Sequence, residues 1–312
     1  MALNFNEYKS ITADPGESIW NSSLNSTKEY ISIAYSTGCT VYDVETGNSL
    51  ENFSGSRSDH TAFDPANDYL YYAEQNADFT VVEVGTWNEV ATGIGDRNEP
   101  IFDFASNGDY ILLSGGTIIE LWSVDRQNDT FTNVEEQSIS ISGEGINQAS
   151  ISQNENYIAI TNESGSQVEI FDLDVQNETI SPNTTFDPRV AGDSSNVEGC
   201  QFAPSEDTLY VGTRDYIYEV SVSNWSVQNS TQSSVTMDRE AGVRVSEGHV
   251  VLGSSISSQT SFSGEYINFY DRSLNELQAE SFSEGVRQST FSFDESYFVI
   301  SGADGGAKIW NT

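Results

Sequence analysis

Residues 291–311 read FSFDESYFVISGADGGAKIWN and contain the pattern that decides the fold. Residues 297–301 form one apolar segment and residues 307–310 another. Asp304, Gly305 and Gly306 between them predict a tight hairpin turn, because Asp-Gly and Gly-Gly pairs reach the positive φ angles that such turns need. The second strand of this hairpin has no partner on its outer side within the stretch, and it therefore requires a strand from elsewhere in the chain.

The same hairpin recurs seven times along the 312 residues. Each copy begins with a strand-leading residue, and the spacing between these residues averages 44.5, which is typical of a repeat protein. The strand-leading residues are Tyr30, Tyr69, Tyr110, Tyr157, Thr208, His249 and Tyr297. Each copy ends in an aromatic-acid pair or its substitute: Tyr42-Asp43, Val82-Glu83, Trp122-Ser123, Phe171-Asp172, Val220-Ser221, Tyr270-Asp271 and Trp310-Asn311.

Further short strands flank each hairpin, so that every unit supplies about four strands. Alternating segments such as AFDPANDYL and QFAPSEDTLY precede the hairpins, and segments such as SLENFSG follow them. Units of this length with four strands predict an all-β, seven-bladed β-propeller with four-stranded antiparallel blades in a single domain. The expected blades are residues 17–55, 58–95, 98–142, 145–188, 196–237, 240–283 and 286–312 with 1–12.

The chain resembles the WD-repeat family, and the resemblance is best in residues 291–311. It implies that the ring is closed by an N-terminal strand, here residues 3–11, which pairs with residues 307–310 as the outermost strand of the last blade. It also implies a platform that binds other proteins. The Gly-His dipeptide of the family is missing, and the only histidines are His60 and His249, so the family's His-Asp hydrogen-bond network is not expected.

The charge indicates a protein adapted to concentrated salt. The chain has 48 acidic and 12 basic residues, which give a net charge of −36, and the acids are spread evenly along it. Multimolar salt shortens the Debye length to about 3 Å and removes the self-repulsion of such a surface. We therefore expect a protein from a halophilic archaeon or its virus that needs high salt for stability. Clustered Lys and Arg are absent, which argues against nucleic acid or an anionic membrane as a partner.

The segments that signal export or membrane insertion are not found. The first residues, MALNFNEYKSI, are unlike a signal peptide, and no apolar run approaches the about 20 residues of a membrane span. Cys39 and Cys200 lie in unrelated contexts and are expected to fill space in the core. The expected location is the cytoplasm of a halophile, or else a virion or extracellular assembly.

The sequence offers no catalytic set and no expected metal or cofactor. The two histidines are about 190 residues apart, and no phosphate loop, zinc motif or calcium loop is present. His60 is expected to bond to Asp59, and His249 to be structural. Three functions stay open: a non-enzymatic scaffold within a larger assembly, a structural or attachment protein of a haloarchaeal virus particle or cell surface, and a lactonase-like propeller hydrolase. The last needs His, Glu or metal ligands in the channel.

Five of the nine arginines fall in or beside the connections between blades. They are Arg57, Arg97, Arg189, Arg239 and Arg287, and with His60 they form the predicted binding site. One interpretation is a ring of guanidinium groups that holds a carboxylate or an acidic partner. The other, favoured by the pairs Asp96-Arg97 and Asp238-Arg239 and by Asp187 near Arg189, is Asp-Arg bonding between blades. Partner contacts are expected in three inserted loops, residues 127–143, 175–196 and 254–264.

The chain also contains nine Asn-x-Ser/Thr motifs, against about 5.5 expected by chance from its composition. They begin at Asn21, Asn25, Asn52, Asn128, Asn162, Asn177, Asn183, Asn224 and Asn229. Their number alone does not decide the location of the protein.

Overall fold

The computed structural model describes the backbone of thirteen ranges of the chain. They are residues 7–12, 19–55, 58–74, 78–95, 101–140, 145–162, 165–205, 207–234, 242–253, 265–282, 286–291, 296–302 and 306–311. Side chains at some positions within these ranges, including Asp59 and Arg287, are not described.

These residues form seven four-stranded antiparallel sheets, which are called blades. The strands of each blade are named from the innermost to the outermost. Blade 1 holds β2 (Ile19–Leu24), β3 (Tyr30–Tyr35), β4 (Gly38–Asp43) and β5 (Ser49–Ser54); blade 2 holds β6 (Ser58–Phe63), β7 (Tyr69–Glu74), β8 (Phe79–Glu83) and β9 (Glu89–Ile94). Blade 3 holds β10 (Ile101–Phe104), β11 (Tyr110–Gly115), β12 (Ile118–Asp125) and β13 (Thr130–Ser138); blade 4 holds β14 (Ile146–Ile151), β15 (Tyr157–Asn162), β16 (Val168–Asp174) and β17 (Thr179–Phe186).

The remaining blades follow the same plan. Blade 5 holds β18 (Val197–Phe202), β19 (Thr208–Thr213), β20 (Tyr216–Ser221) and β21 (Ser226–Gln232); blade 6 holds β22 (Val243–Val245), β23 (His249–Gly253), β24 (Glu265–Asp271) and β25 (Glu276–Phe282). Blade 7 holds β26 (Val286–Phe291), β27 (Tyr297–Gly302), β28 (Gly306–Asn311) and, as its outermost strand, β1 (Glu7–Thr12). The seven-bladed propeller predicted from the repeats is confirmed.

The repeat pattern corresponds to one recurring pairing. In every blade the strand-leading residue is the first residue of the second strand, and it lies opposite the second residue of the aromatic-acid pair on the third strand. Tyr30 faces Asp43 in blade 1, for example, and His249 faces Asp271 in blade 6. The register of each hairpin is therefore fixed by the same two positions that made the repeat visible in the sequence.

The first strands of successive blades surround the axis of the ring. β2 contacts β6, β10 contacts β14, β14 contacts β18, β18 contacts β22, β22 contacts β26, and β26 contacts β2. The hydrophobic core lies between neighbouring sheets: Val41 of blade 1, for instance, packs with Phe63, Leu70 and Val82 of blade 2. A single blade cannot bury both of its faces, and burial on both sides of every blade requires a closed ring.

Aromatic contacts join neighbouring blades at the strand-leading tyrosines. Trp87 of blade 2 packs edge-on against Tyr30 of blade 1, with ring centroids 5.2 Å apart. Trp225 of blade 5 packs against Tyr157 of blade 4 in the same way, also at 5.2 Å. Both tryptophans have positive φ angles, 59° and 52°. This left-handed conformation costs about 1 kcal/mol or more, which the contact with the preceding blade offsets.

The strand-leading tyrosine donates a hydrogen bond to the next blade at two other junctions, and at the first of these Tyr69 also packs edge-on against Phe131 of blade 3 at 5.5 Å. The Tyr69 hydroxyl of blade 2 donates to Asp129 Oδ1 of blade 3 at 2.5 Å. The Tyr110 hydroxyl of blade 3 donates to the Val175 carbonyl oxygen of blade 4 at 3.0 Å. The recurring tyrosine of the sequence is therefore a contact between blades as well as the start of a strand.

The ring closes where β1 pairs with β28. In the register, Ile11 lies opposite Ala307 and Glu7 opposite Trp310. Ile11 is buried in the core cluster that joins blade 7 to blade 1. The Lys9 ammonium also donates to the Glu45 carbonyl oxygen of blade 1 at 2.8 Å. The predicted closure is thus confirmed for the described residues 7–12.

Two of the three segments predicted to be inserted loops each contain an outermost strand. Residues 127–143 contain β13, and residues 175–196 contain β17. Both strands are outermost and mostly exposed, so their sequences, TFTNVEEQS and TISPNTTF, lack the apolar alternation by which buried strands are recognised. The third segment, residues 254–264, lies outside the described residues.

Cys39 and Cys200 are fully buried free cysteines, as expected of core fillers. Burial raises the pKa of the Cys39 thiol to about 12 and also raises that of Cys200. Neither thiol is therefore ionised at neutral pH. Within the described part of the chain, no helix has the length and hydrophobicity that crossing a membrane requires.

Candidate functional site

The antiparallel blades give the ring two faces. The connections between blades and the turns between second and third strands lie on one face, here called the upper face. The turns between first and second strands and between third and fourth strands lie on the other, the lower face. Arg189, a member of the predicted binding set, lies in the connection between blades 4 and 5 and therefore on the upper face.

Most of the predicted site falls where side chains are not described. Arg57, Arg97 and Arg239 lie outside the described residues, and Arg287 lies in β26 with its backbone alone described. His60 is part buried in β6, and its expected partner Asp59 has no described side chain. Their roles in binding or in blade contacts stay predictions, and Arg189 is the one arginine of the predicted set whose side chain is described.

Arg189 organises residues 187–196, here called the Arg189 loop, which connect blade 4 to blade 5. Its guanidinium donates to both carboxylate oxygens of Asp187, from Nε at 2.9 Å and from Nη2 at 2.7 Å. It also donates from Nη1 to the Ser195 carbonyl oxygen at 3.1 Å. The hydrogen bonds from Arg189 lower the pKa of Asp187. The arginine therefore joins the two ends of the loop and leaves its paired carboxylate ionised.

Asp193 attaches the same loop to blade 5. Its Oδ2 accepts from the Tyr218 hydroxyl at 2.6 Å and from Thr213 Oγ1 at 2.9 Å. The Ser195 hydroxyl donates to Asp215 Oδ2 at 2.7 Å. Burial, with the hydrogen bond to Asp193 next, raises the pKa of Tyr218. The loop is thus bonded to the neighbouring blade at several points.

The tip of the Arg189 loop, residues 190–192, is exposed and uncharged. Val190 is 37% exposed and is followed by exposed Ala191 and Gly192, whose φ of 103° favours glycine. Among the described residues, Val190, Tyr8 and Leu50 are the exposed large hydrophobics. Tyr8 and Leu50 belong to outermost strands, so Val190 is the member of this group that lies on the upper face. In an acidic protein, this places an uncharged patch on the upper face.

Polar side chains of the first strands join neighbouring blades around the channel. At one equivalent position near the end of the first strand, the side chain accepts a hydrogen bond from a backbone N–H of the next blade. The pairs are Phe63 N to Ser23 Oγ at 3.1 Å, Ile151 N to Asp103 Oδ2 at 2.8 Å, Phe202 N to Ser150 Oγ at 3.3 Å, and Val245 N to Gln201 Oε1 at 2.9 Å. These four side chains therefore hydrogen-bond one blade to the next.

Asp103 is the ionisable member of this series. Burial raises its pKa to about 6, against the lowering effects of the N–H groups of Ile151 and Phe104 and of the positive charge of Arg244. Asp103 belongs to blade 3 and Arg244 to blade 6, so this electrostatic interaction acts across the ring rather than at one blade junction. Burial in turn lowers the pKa of Arg244, with Asp103 acting in the opposite direction.

Gln148 makes a second contact across blades. Its Nε2 donates to the Val243 carbonyl oxygen at 3.2 Å, and the Val243 N–H donates to its Oε1 at 3.3 Å. Gln148 belongs to blade 4 and Val243 to blade 6, and Gly199 occupies the equivalent position in the intervening blade. Gln148, Arg244 and Asp103 therefore connect non-neighbouring blades across the inside of the ring.

The described residues bring no catalytic set together. They contain no group of three His, Cys, Asp or Glu side chains placed to hold a metal ion. His60 and His249 lie on blades 2 and 6, and burial lowers the pKa of His249. The carboxylate of Asp103 accepts hydrogen bonds from two backbone N–H groups, and it therefore stabilises the fold.

Two arginines outside the predicted site, Arg126 and Arg272, each make several contacts with the preceding blade. Arg126, in the turn between β12 and β13, donates to Asp64 Oδ2 at 2.5 Å, to Asp68 Oδ2 at 3.0 Å and to Asp109 Oδ1 at 3.0 Å. Asp64 and Asp68 belong to the preceding blade, and the Asp64 side chain is fully buried. Burial raises the pKa of Asp64, while its hydrogen bonds with Tyr69 N–H and Arg126 oppose the shift.

Arg272 occupies the corresponding turn of blade 6, between β24 and β25. It donates to the Tyr210 hydroxyl at 3.0 Å and to Ser205 Oγ at 3.1 Å, both in blade 5, and to the Ser246 carbonyl oxygen at 3.2 Å. A signal for both arginines existed, since Asp125-Arg126 and Asp271-Arg272 repeat the Asp-Arg pair noted in the upper connections. Among the arginines, the predicted site included only those in or beside the connections between blades, whereas Arg126 and Arg272 join blades at the lower face.

Comparison with known families agrees with this architecture in one part of the chain. Residues 272–311 match the family described as WD domain, G-beta repeat. The matched segment supplies the fourth strand of blade 6 and the first three strands of blade 7. A search of curated proteins finds no match. The chain is a seven-bladed β-propeller whose last repeat is similar to a WD repeat.

Proposed function

We propose that this protein is a non-enzymatic scaffold that binds other proteins through its upper face, as a component of a larger assembly. Propellers built from WD repeats generally mediate contacts between proteins, and the match of residues 272–311 extends this expectation to the chain. The observation that supports the proposal most directly is the Arg189 loop. It presents Val190 to solvent while Arg189 and Asp193 hold both ends of the loop.

The loop geometry favours binding for an energetic reason. Ordering a flexible loop on association costs about 0.5–1.5 kcal/mol for each immobilised side chain. In the Arg189 loop these side chains are already held by hydrogen bonds in the free protein, so this cost is reduced. An apolar contact at the centre with charged groups around it is also the usual composition of a protein interface. The partner expected for a chain of net charge −36 has a basic rim.

The test compares two matched variants of the native protein in high salt. Val190→Asp and Leu50→Asp each place a carboxylate at an exposed apolar position, 37% and 44% exposed, one on the upper face and one on the outer rim. We expect the wild-type protein and Leu50→Asp to elute as a stoichiometric complex, and Val190→Asp to elute as the free chain. A wild-type protein that is monomeric in its native extract, or two variants that behave alike, contradicts the proposal.

The same proposal includes adaptation to concentrated salt. The 12 basic residues are too few to neutralise the 48 acidic ones, although some pairs are present, such as Asp64 with Arg126 and Asp187 with Arg189. Repulsion among the remaining carboxylates falls as salt screens them. The midpoint of urea unfolding is expected to rise steeply with KCl between about 0.1 and 3 M. A midpoint that does not change over this range contradicts the adaptation but leaves the scaffold role intact.

A further inference from the structure

The structure separates the nine Asn-x-Ser/Thr motifs into two groups. Asn21, Asn25 and Asn162 are 6%, 0% and 1% exposed, whereas the other six asparagines are exposed. The Asn25 amide donates to Thr27 Oγ1 at 2.6 Å and to Asn67 Oδ1 of the next blade at 2.7 Å. A sugar on any of the three buried nitrogens is incompatible with this fold, because it would displace core contacts.

Four of the exposed asparagines use their amide nitrogen in hydrogen bonds. Nδ2 donates one of its two hydrogens to a carboxylate or carbonyl oxygen in each, so the nitrogen is already held by a neighbouring group. The pairs are Asn128 with Asp125 at 2.8 Å, Asn177 with Asp174 at 2.7 Å, Asn183 with Asp172 at 2.6 Å, and Asn229 with the Ser273 carbonyl oxygen at 3.0 Å.

Asn224 has a different geometry. It lies in the turn between β20 and β21 on the lower face, and its Oδ1 accepts from the Ser226 N–H at 3.1 Å and from the Ser226 hydroxyl at 2.6 Å. No described residue accepts a hydrogen bond from its Nδ2. Trp225 between them has a φ of 52°, and its packing on Tyr157 fixes this turn. Asn52 is exposed as well, but it lies within β5 opposite Thr40, and the described contacts include no bond to it from the hydroxyl of Ser54.

This geometry matters because an amide nitrogen is a poor nucleophile. Its lone pair is delocalised into the carbonyl, and it becomes reactive when an N–H proton leaves and negative charge develops on the oxygen. Donors directed at that oxygen stabilise the developing charge. The backbone N–H and the hydroxyl of Ser226 are such donors, and both already point at Asn224 Oδ1 in the folded protein.

We propose that Asn224 is an acceptor for an N-linked oligosaccharide, added to the folded chain from a lipid-linked sugar phosphate by a transferase. A bond forms between Nδ2 and the sugar C1, and the bond between C1 and the phosphate oxygen breaks. The phosphate leaves with the electron pair, and the amide proton passes to a base of the transferase. The motif itself is the usual acceptor sequence, and here the structure selects among nine copies.

The proposal is independent of the scaffold function. Asn224 lies on the lower face, whereas the Arg189 loop lies on the upper face, so a glycan at Asn224 leaves the proposed binding surface uncovered. Its presence would also favour the virion or cell-surface location over the cytoplasm, because transfer from lipid-linked donors occurs outside the cytoplasm.

The test is peptide mapping by mass spectrometry of the protein isolated from the cells or particles that produce it. We expect a sugar mass on the Asn224 peptide and unmodified peptides for Asn21, Asn25 and Asn162. Asn224→Gln and Ser226→Ala should both remove the sugar, whereas Ser226→Thr, which keeps the hydroxyl, should retain it. Asn229→Gln in the same blade is the matched control and should retain it too. An Asn224 peptide with its bare mass, or a sugar that persists in Ser226→Ala, overturns the proposal.

Discussion

Replacing Arg126 by Gln tests the contact between blades 2 and 3 most sharply. Arg126 is the partner of three carboxylates, but they differ in burial: the Asp64 side chain is fully buried, whereas Asp68 and Asp109 are 52% and 55% exposed. Exposed ion pairs contribute about 0–1 kcal/mol each. Removing the partner of a buried charge costs about 3–5 kcal/mol, because the remaining charge is left without compensation. The backbone N–H groups of Asp68 and Tyr69 still bond to Asp64 in the variant.

We therefore expect Arg126→Gln to lose about 3 kcal/mol of unfolding free energy, measured by urea titration in molar KCl. Arg272→Gln is the matched control, since its partners are hydroxyl and carbonyl oxygens and no charge is left unpaired. Its loss should be about 1–2 kcal/mol. Adding Asp64→Asn to Arg126→Gln should restore most of the loss, because the buried charge is then removed. Equal losses in the two arginine variants, or a loss below about 1 kcal/mol in Arg126→Gln, would refute the reasoning.

Further predictions concern pH and strain. The pKa of Asp103 is about 6 in the folded protein, against an ordinary value of 3.8. As pH falls from 7 to about 4, the folded state therefore binds a proton at Asp103 before the unfolded state does. The free energy of unfolding should rise over this range because of this group. Asp103→Asn should lose that part of the pH dependence, and identical profiles for variant and wild type would contradict the assignment. At Trp225, replacement by Gly should be less destabilising than replacement by Ala, by about 0.5–1 kcal/mol, because the φ of 52° suits glycine. The reverse order in urea unfolding would show that the turn relaxes.

The inner part of the fold was predictable because burial imposes a pattern on the sequence. The second strands of blades 1, 4 and 5 are almost wholly buried, and such apolar runs, led by a tyrosine in five of the seven copies, indicated seven hairpins at regular spacing. The outermost strands are exposed and polar. β13 and β17 therefore looked like loops, although they pair with β12 and β16, each with one shift in register.

The candidate site was less predictable, because its contacts join residues far apart in sequence. Arg126 and Asp64 are 62 residues apart, and Gln148 and Val243 are 95 apart. An Asp-Arg pair in the sequence shows that a guanidinium has a nearby carboxylate, but which blade it reaches depends on how the ring is assembled. Arg189 shows the local case, in which Asp187 two residues away is the partner.

The most direct test of the account is to remove residues 1–12 and measure thermal unfolding in high salt together with hydrogen exchange. The account predicts a lower melting temperature for the whole protein, because the deletion removes the strand that pairs with β28 and the buried Ile11 that packs between blades 7 and 1. It also predicts loss of amide protection in β28 and β27. An unchanged melting temperature, with β28 still protected, would contradict the closed ring.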